Sequence, residues 1–124
     1  MQSPHSFPAS FDGLVQIMSR LREPEGGCPW DLAQTHESLR SSLLEECYET
    51  LEAIDQANPN LLAEELGDLL VQIAFHVDIA REAGEFVLAD VLTHINEKLI
   101  RRHPHVFGDA TVTDSREVSA TGRS

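Results

Sequence analysis

Apolar side chains recur every three or four residues through four stretches of the chain, the spacing of amphipathic α-helices. No stretch concentrates β-branched residues in the alternating pattern of a strand. The sequence therefore predicts an all-α domain. Its helices are expected over about residues 11–22, from a start between 35 and 42 to residue 57, over 60–83 and over 88–102.

The predicted helices begin and end at residues that favour such ends. Ser10 or Asp12 is expected to cap the first helix, and Ser42, with a glutamate three residues later, resembles a capping start for the second. Asn58 precedes a proline and is expected to cap the third helix, which Gly84 ends.

The chain of 124 residues suits one domain. We expect a flexible segment over residues 1–9, the folded domain over 10–109 and a disordered tail over 110–124. The stretch "EPEGGCPWDLAQ" is predicted to be a loop. Cys28 and Cys47 form no metal or disulfide motif, so we interpret them as reduced cytoplasmic thiols. No signal peptide or membrane-spanning apolar run is found.

The charge is strongly negative: 21 acidic residues against 9 basic ones, a net charge of −12. Such a field opposes binding to nucleic acid or to an anionic membrane, so neither partner is expected. The excess either keeps the protein soluble or includes acids that hold divalent cations.

Two acids of the third predicted helix lie off its apolar stripe. Glu65 and Asp68 share a line that continues past Gln72 and Phe75, so we expect them at the mouth of a buried surface. Gly67 beside them gives room for a ligand or another backbone. The stripe itself is Leu62, Leu66, Leu69, Ile73, Val77 and Ala80.

A second acid pair, Glu46 and Glu49, is three residues apart on the second helix, so its side chains can converge. Either pair alone is typical of a solvated helix face. The short turn "NPN" makes the two helices an antiparallel hairpin, in which the pairs can face each other and repel. All-oxygen ligands favour Mg²⁺ or Mn²⁺, and Mg²⁺ commonly shares its shell with substrate phosphates. The hairpin therefore predicts a metal site for a phosphate-bearing substrate.

The densest basic cluster lies at the end of the fourth helix, in "NEKLIRRHPHVF". Lys98, Arg101 and Arg102 either complement the helix dipole or bind the substrate's phosphates. Trp30 either packs on the core or stacks on a base. No catalytic triad, nucleophile elbow or glycine-rich phosphate loop is present in the sequence.

Three stretches closely resemble MazG-type nucleoside triphosphate pyrophosphohydrolases: "GGCPWDLAQTHESLRSSLLEECYETLEAI", "AEELGDLLVQIAFH" and "INEKLIRRHPHVFGD". The resemblance covers about residues 14–109. It implies a four-helix bundle-like fold completed by homodimerisation, or a tetramer, with Mg²⁺ held by Glu46, Glu49, Glu65 and Asp68. It also implies hydrolysis of an NTP or dNTP to the monophosphate and pyrophosphate, and a housecleaning role in the nucleotide pool. Many members carry two such domains, whereas this sequence matches one.

Under this hypothesis Glu45 or Glu49 accepts a proton from the attacking water. Lys98 and Arg102, with Arg101, stabilise charge on the phosphates. Two alternatives stay open: a nucleotide-sensing module that kept the metal site without turnover, and a purely structural helical dimer. The preferred base and sugar, the number of metal ions and the identity of the general base are open as well.

Overall fold

The computed structural model describes residues 6–108, and within this range the chain forms helices and no strand. The all-α prediction is therefore confirmed. The helices are α1 (Phe11–Leu21), α2 (Pro29–Leu32), α3 (Arg40–Asp55), α4 (Pro59–Glu82), α5 (Leu88–Arg101) and α6 (Pro104–Phe107).

The four long helices match the predicted ones, and the two four-residue helices were not predicted. Both α2 and α6 begin with a proline, whose fixed φ suits the first helical position. A single turn is too short to show the apolar period on which the prediction depended, so "EPEGGCPWDLAQ" contains a helix where a loop was expected.

Three of the predicted helix ends are confirmed. The Ser10 hydroxyl accepts from the Gly13 N–H at 3.0 Å, and the Asn58 side chain accepts from the Leu61 N–H at 3.2 Å. Gly84 follows α4 with a φ of +71°, in the left-handed region that glycine adopts without strain.

The predicted capping role of Ser42 is wrong. Helix α3 begins at Arg40, with Leu39 at the N-cap and no side-chain capping bond, so Ser42 already lies inside the helix. The hydrophobic core decides this start, because Leu39 is only 1% exposed and must enter the core at that point.

The described residues divide into two compact units, one ending at Glu85 and the other beginning at Phe86. The core of the first unit consists of Met18 from α1, Leu39, and Ala74 and Phe75 from α4. The three-residue connection between α3 and α4 makes them an antiparallel hairpin, as predicted. Leu39 and Phe75 lie together in the core, and Glu46 and Glu49 meet Glu65 nearer the turn. These pairings are the ones expected of two helices that run in opposite directions.

The expected inward stripe of α4 is only partly right. Val77 and Ala80 are buried, but Leu66 and Ile73 are 46% and 38% exposed. The helix face that continues from Glu65 and Asp68 faces the core instead, because Gln72 and Phe75 are buried. Because α1 and α3 both pack on α4, they cover that side and leave the leucine side open.

The second unit consists of α5 and the short α6, which contact each other. Asp90 accepts from the Val87 N–H at 2.9 Å and so fixes the start of α5. Within residues 6–108, none of the helices has both the length and the apolar composition needed to cross a membrane. The predicted tail over 110–124 lies outside the described residues, as does most of the segment 1–9.

Candidate metal centre

Three carboxylates meet where α3 and α4 lie side by side. Glu46 and Glu49 come from successive turns of α3, and Glu65 comes from α4. One carboxylate oxygen of each lies within 4.8 Å of those of the other two. The structure thus brings together three of the four predicted metal ligands, with Glu65 lying 16 and 19 positions after the two acids of α3.

Two oxygens in this cluster are buried without a hydrogen-bond partner among the described residues: Oε2 of Glu46 and Oε2 of Glu65. A buried carboxylate oxygen without a donor is costly, because it has lost water and gained nothing in return. Glu49 is exposed and brings a further negative charge. Within residues 6–108, the cluster therefore has no positively charged partner.

The pKa values report the same imbalance. Burial raises the pKa of Glu46, and the charges of Glu49, Asp68 and Glu65 raise it further. Burial also raises the pKa of Glu65, together with a hydrogen bond and repulsion from Glu49. The charges of Glu49 and Asp68 thus make Glu46 and Glu65 harder to ionise, which is the situation that a bound cation would reverse.

Asp68 and Glu45 stand apart from the three acids. Asp68 is exposed and contributes no oxygen to the 4.8 Å group, yet its charge raises the pKa of both Glu46 and Glu65. Glu45 is exposed on α3 and is not part of the group either. Their predicted roles as ligand and base stay predictions.

The open surroundings of Gly67 fit the predicted space beside the acids. A Cβ built on Gly67 would have no described atom within 4 Å. Packing within the described chain therefore does not require this glycine.

The donor set fits a hard divalent cation. The three converging side chains offer carboxylate oxygens only, which favour Mg²⁺ or Mn²⁺ over zinc or copper. The two unpartnered oxygens supply the structural reason for a cation at this point. The cluster can therefore bind a metal ion.

Trp30 lies on α2 and packs on the core, whereas its stacking on a base stays a prediction. Its ring packs edge to face on Phe75, with centroids 6.3 Å apart and planes at 75°. The side chain is nevertheless 61% exposed. Packing on the core thus leaves much of the indole available to a ligand.

A buried ion-pair network fixes the segment that carries Trp30. The guanidinium of Arg22, at the end of α1, contacts Glu82 at 2.9 Å and donates to the carbonyl oxygens of Asp31 at 2.6 Å and Gln34 at 3.1 Å. Asp78 lies 3.6 Å from the same guanidinium and is fully buried.

Burial alone would raise the pKa of Asp78, but hydrogen bonds from Ser19 and Arg81 outweigh it and hold the pKa below its usual value. Sequence reasoning missed this network. Its members lie about 60 positions apart, and Arg22 looks like one more scattered base.

Sequence reasoning also missed a pair of histidines. Nδ1 of His36 lies 2.7 Å from Nδ1 of His76 on α4, and the two ring centroids lie 5.0 Å apart. Nε2 of His36 lies 3.0 Å from a carboxylate oxygen of Glu85. Neither histidine belongs to a local motif that would have predicted the contact.

The basic cluster is where the sequence placed it. Lys98 and Arg101 lie in the last turn of α5 and Arg102 is its C-cap, and all three are exposed. They belong to the second unit, whereas the acids belong to the first. Their contact with the substrate's phosphates stays a prediction.

Comparison with known proteins places these residues in context. Residues 34–107 match the model of the MazG nucleotide pyrophosphohydrolase domain. A nucleoside triphosphate pyrophosphohydrolase/pyrophosphatase MazG from Thermotoga maritima is 61% identical over 100 residues, covering 81% of this chain and 39% of that protein. A nucleoside triphosphate pyrophosphohydrolase from Escherichia coli is 49% identical over 109 residues, covering 88% of this chain and 41% of that protein.

The crystal structure of a mazG-related protein from Thermotoga maritima superposes with a TM-score of 0.72 at 26% identity, covering 90% of this chain and 94% of that one. The chain thus spans about two fifths of the length of the two curated relatives and nearly all of this structural one.

Proposed function

Because the chain belongs to the MazG nucleotide pyrophosphohydrolase family, we propose that it hydrolyses nucleoside triphosphates, NTP or dNTP, to the monophosphate and pyrophosphate in the presence of Mg²⁺. The observation that carries this proposal is the cluster of Glu46, Glu49 and Glu65, with two buried oxygens that have no partner among the described residues.

The chain's own residues divide the work. Glu46, Glu49 and Glu65 would hold the metal, and Asp68 would join them. A bound Mg²⁺ would neutralise phosphate charge and lower the pKa of a coordinated water, and Mn²⁺ can replace it.

Proton removal needs a base close to the attacking water. Glu49 is our first candidate because it already lies in the cluster, and Glu45 is the alternative. The water oxygen attacks the α-phosphorus, the bond from that phosphorus to the bridging oxygen breaks, and pyrophosphate leaves with that oxygen. The proton taken from the water then passes from the carboxylate to solvent.

Positive charge and an aromatic surface would bind the rest of the substrate. Lys98, Arg101 and Arg102 would bind the phosphates and stabilise the leaving pyrophosphate. Trp30 would stack on the base. Seven residues of α4, about 10 Å of helix axis, separate Asp68 from Phe75, on which Trp30 packs. Trp30 therefore packs on the same helix that carries Glu65 and Asp68.

We also propose that a second copy of the chain covers the open side of the α3–α4 hairpin. On α3 this side exposes Leu44, Tyr48, Leu51 and Ile54, each by more than half, and on α4 it exposes Leu66, Leu70 and Ile73. Large apolar side chains exposed in such number on two packed helices are typical of an interface. Light scattering at micromolar concentration should show a dimer or tetramer, and Leu51→Glu should give a monomer. A monomeric wild-type protein would contradict this part of the proposal.

The proposed cellular role is removal of unwanted nucleotides in the cytoplasm. Cys28 and Cys47 are both free thiols, which agrees with a reducing compartment.

The activity is tested with a panel of NTPs and dNTPs and Mg²⁺, separating monophosphate plus pyrophosphate from diphosphate plus phosphate. Glu49→Gln should abolish turnover. Glu64→Gln is the matched control, because it removes the same charge from an exposed position next to the cluster. Release of diphosphate, or full turnover by Glu49→Gln, would refute the proposal. Glu45→Gln tests whether Glu45 or Glu49 is the general base. If this variant loses turnover but still binds the metal, Glu45 is the base.

A further inference from the structure

We propose that His36, His76 and Glu85 form a proton-dependent latch, which holds the Trp30 segment on α4 at neutral pH and releases it in acid. Nothing in the latch contacts the acid cluster in the described structure, and the inference holds whether or not Trp30 touches substrate.

The geometry of the latch joins three parts of the first unit. His36 precedes α3, His76 lies within α4, and Glu85 follows α4. Gly84 turns the chain so that the Glu85 N–H donates to the Ala80 carbonyl at 2.9 Å, which keeps Glu85 beside the helix end. The two imidazole rings are nearly parallel, with planes at 10°.

The 2.7 Å contact between the two Nδ1 atoms has room for one hydrogen between them and not for two. With both rings neutral, one Nδ1–H donates to the other Nδ1. With one positive charge the same bond persists, and a charged His36 can donate its Nε2–H to Glu85 as well. With two positive charges, both Nδ1 atoms carry hydrogen, so the bond is lost and two cations face each other. The contact therefore survives the first proton and breaks with the second.

Other charges near the latch come from each element packed there. Asp78 and Glu82 of α4 contact Arg22, the C-cap residue of α1, and Arg81 bonds to Asp78. On the His36 side, Glu37 and Arg40 follow in the sequence and are exposed. Among the described contacts, Glu85 is the carboxylate that bonds to the pair itself. Burial and the positive charge of His36 lower the pKa of His76, in keeping with a second proton that enters only in acid.

The latch acts on Trp30 through short connections. Phe75, on which the indole packs, is the neighbour of His76 on α4. On the other side, the Gln34 side chain donates to the Trp30 carbonyl at 3.0 Å, two residues before His36. Loss of the histidine contact therefore removes an attachment of this segment to α4 and leaves the Arg22 contacts in place.

Trp30 is the only tryptophan in the sequence, so its fluorescence reports on this segment alone. The experiment follows the fluorescence anisotropy of the full chain, without metal or nucleotide, from about pH 8 to about pH 5.5, a range that spans the ordinary histidine pKa. We expect a stepwise loss of anisotropy with a midpoint below about 6.5, the ordinary value, because the second proton meets an existing charge.

Variants separate the latch from other titrating groups. His76→Phe keeps an aromatic ring but cannot take up the second proton, so the step should vanish. His76→Gln should give the same result if the phenylalanine variant folds poorly. His94→Gln removes an exposed histidine of α5 and should keep the step. All variants retain the acid cluster, so a change caused by its carboxylates would persist in each of them. A step that persists in both His76 variants, or a wild-type anisotropy that is flat over this range, would overturn the latch.

Discussion

Replacing Glu49 with glutamine removes one charge from the acid cluster and keeps the shape of the side chain. Glu46 and Glu49 place carboxylate oxygens within 4.8 Å of each other. Two unit charges at that separation repel by about 1 kcal/mol in a water-like dielectric, the appropriate choice because Glu49 is exposed. Without metal, the free energy of unfolding of Glu49→Gln should therefore rise by about 1 kcal/mol, or roughly 4–8 °C in Tm for a domain of this size.

Metal should reverse that order. A ligand present at about 100 times its Kd stabilises the folded state by about 2.7 kcal/mol. The wild-type protein should gain this amount with Mg²⁺ or Mn²⁺, whereas Glu49→Gln, with a ligand oxygen replaced by an amide, should gain much less. The variant is thus expected to melt above wild type in a chelator and below it in saturating metal.

Scanning calorimetry with and without Mn²⁺ checks this crossover, with Glu64→Gln as the control for net charge. The control should show the wild-type metal response. If Glu49→Gln keeps the full metal-induced rise in Tm, or if Glu64→Gln loses it equally, the cluster is not the metal site and the argument from its geometry is wrong.

Three further outcomes are expected. Lys98→Ala and Arg102→Ala should each lower kcat/KM by about 10²-fold, the scale of one lost donor at a developing charge. Both variants should bind Mn²⁺ without nucleotide almost as tightly as the wild-type protein. If both keep the wild-type kcat/KM, these residues only complement the helix dipole. Gln72→Leu should raise the free energy of unfolding by about 1–3 kcal/mol, because the buried Oε1 of Gln72 has no partner among the described residues. A lower Tm for this variant would show that the amide oxygen has a hydrogen-bond partner in solution. The raised pKa of Glu46 means that the metal-free folded state binds the proton of this carboxyl more tightly than the unfolded state. The stability that this proton contributes is therefore lost as pH rises through the raised pKa and regained on acidification. Glu46→Gln should flatten that part of a curve of Tm against pH measured in chelator.

Helix positions followed from the sequence because they depend on local spacing. The periods of α1, α3, α4 and α5, the caps at Ser10 and Asn58 and the stop at Gly84 all involve residues within a few positions of one another. The capping role of Ser42 failed for the opposite reason: the start of α3 is set by Leu39, which packs on residues of α1 and α4 far along the chain.

The acid cluster was also within reach of the sequence. Glu46 and Glu49 had to share a helix face, and the short turn had to bring α4 back alongside them, so the meeting with Glu65 followed from helix geometry. Helix geometry did not predict which of the acids would lie close enough to share a metal ion. Asp68 lies outside the group of three. Side-chain rotamers decide that detail, and the helical period does not specify them.

The amino-acid sequence by itself determined the all-α class, the hairpin of α3 and α4 and the facing acids, since each depends on interactions along one helix or across one short turn. Tertiary structure decided which side of α4 is buried, how Arg22 ties the Trp30 segment to Asp78 and Glu82, and that His36 meets His76. These contacts join residues 40 to 60 positions apart. Their partners are chosen by how three helices pack, and no local pattern in the chain encodes that choice.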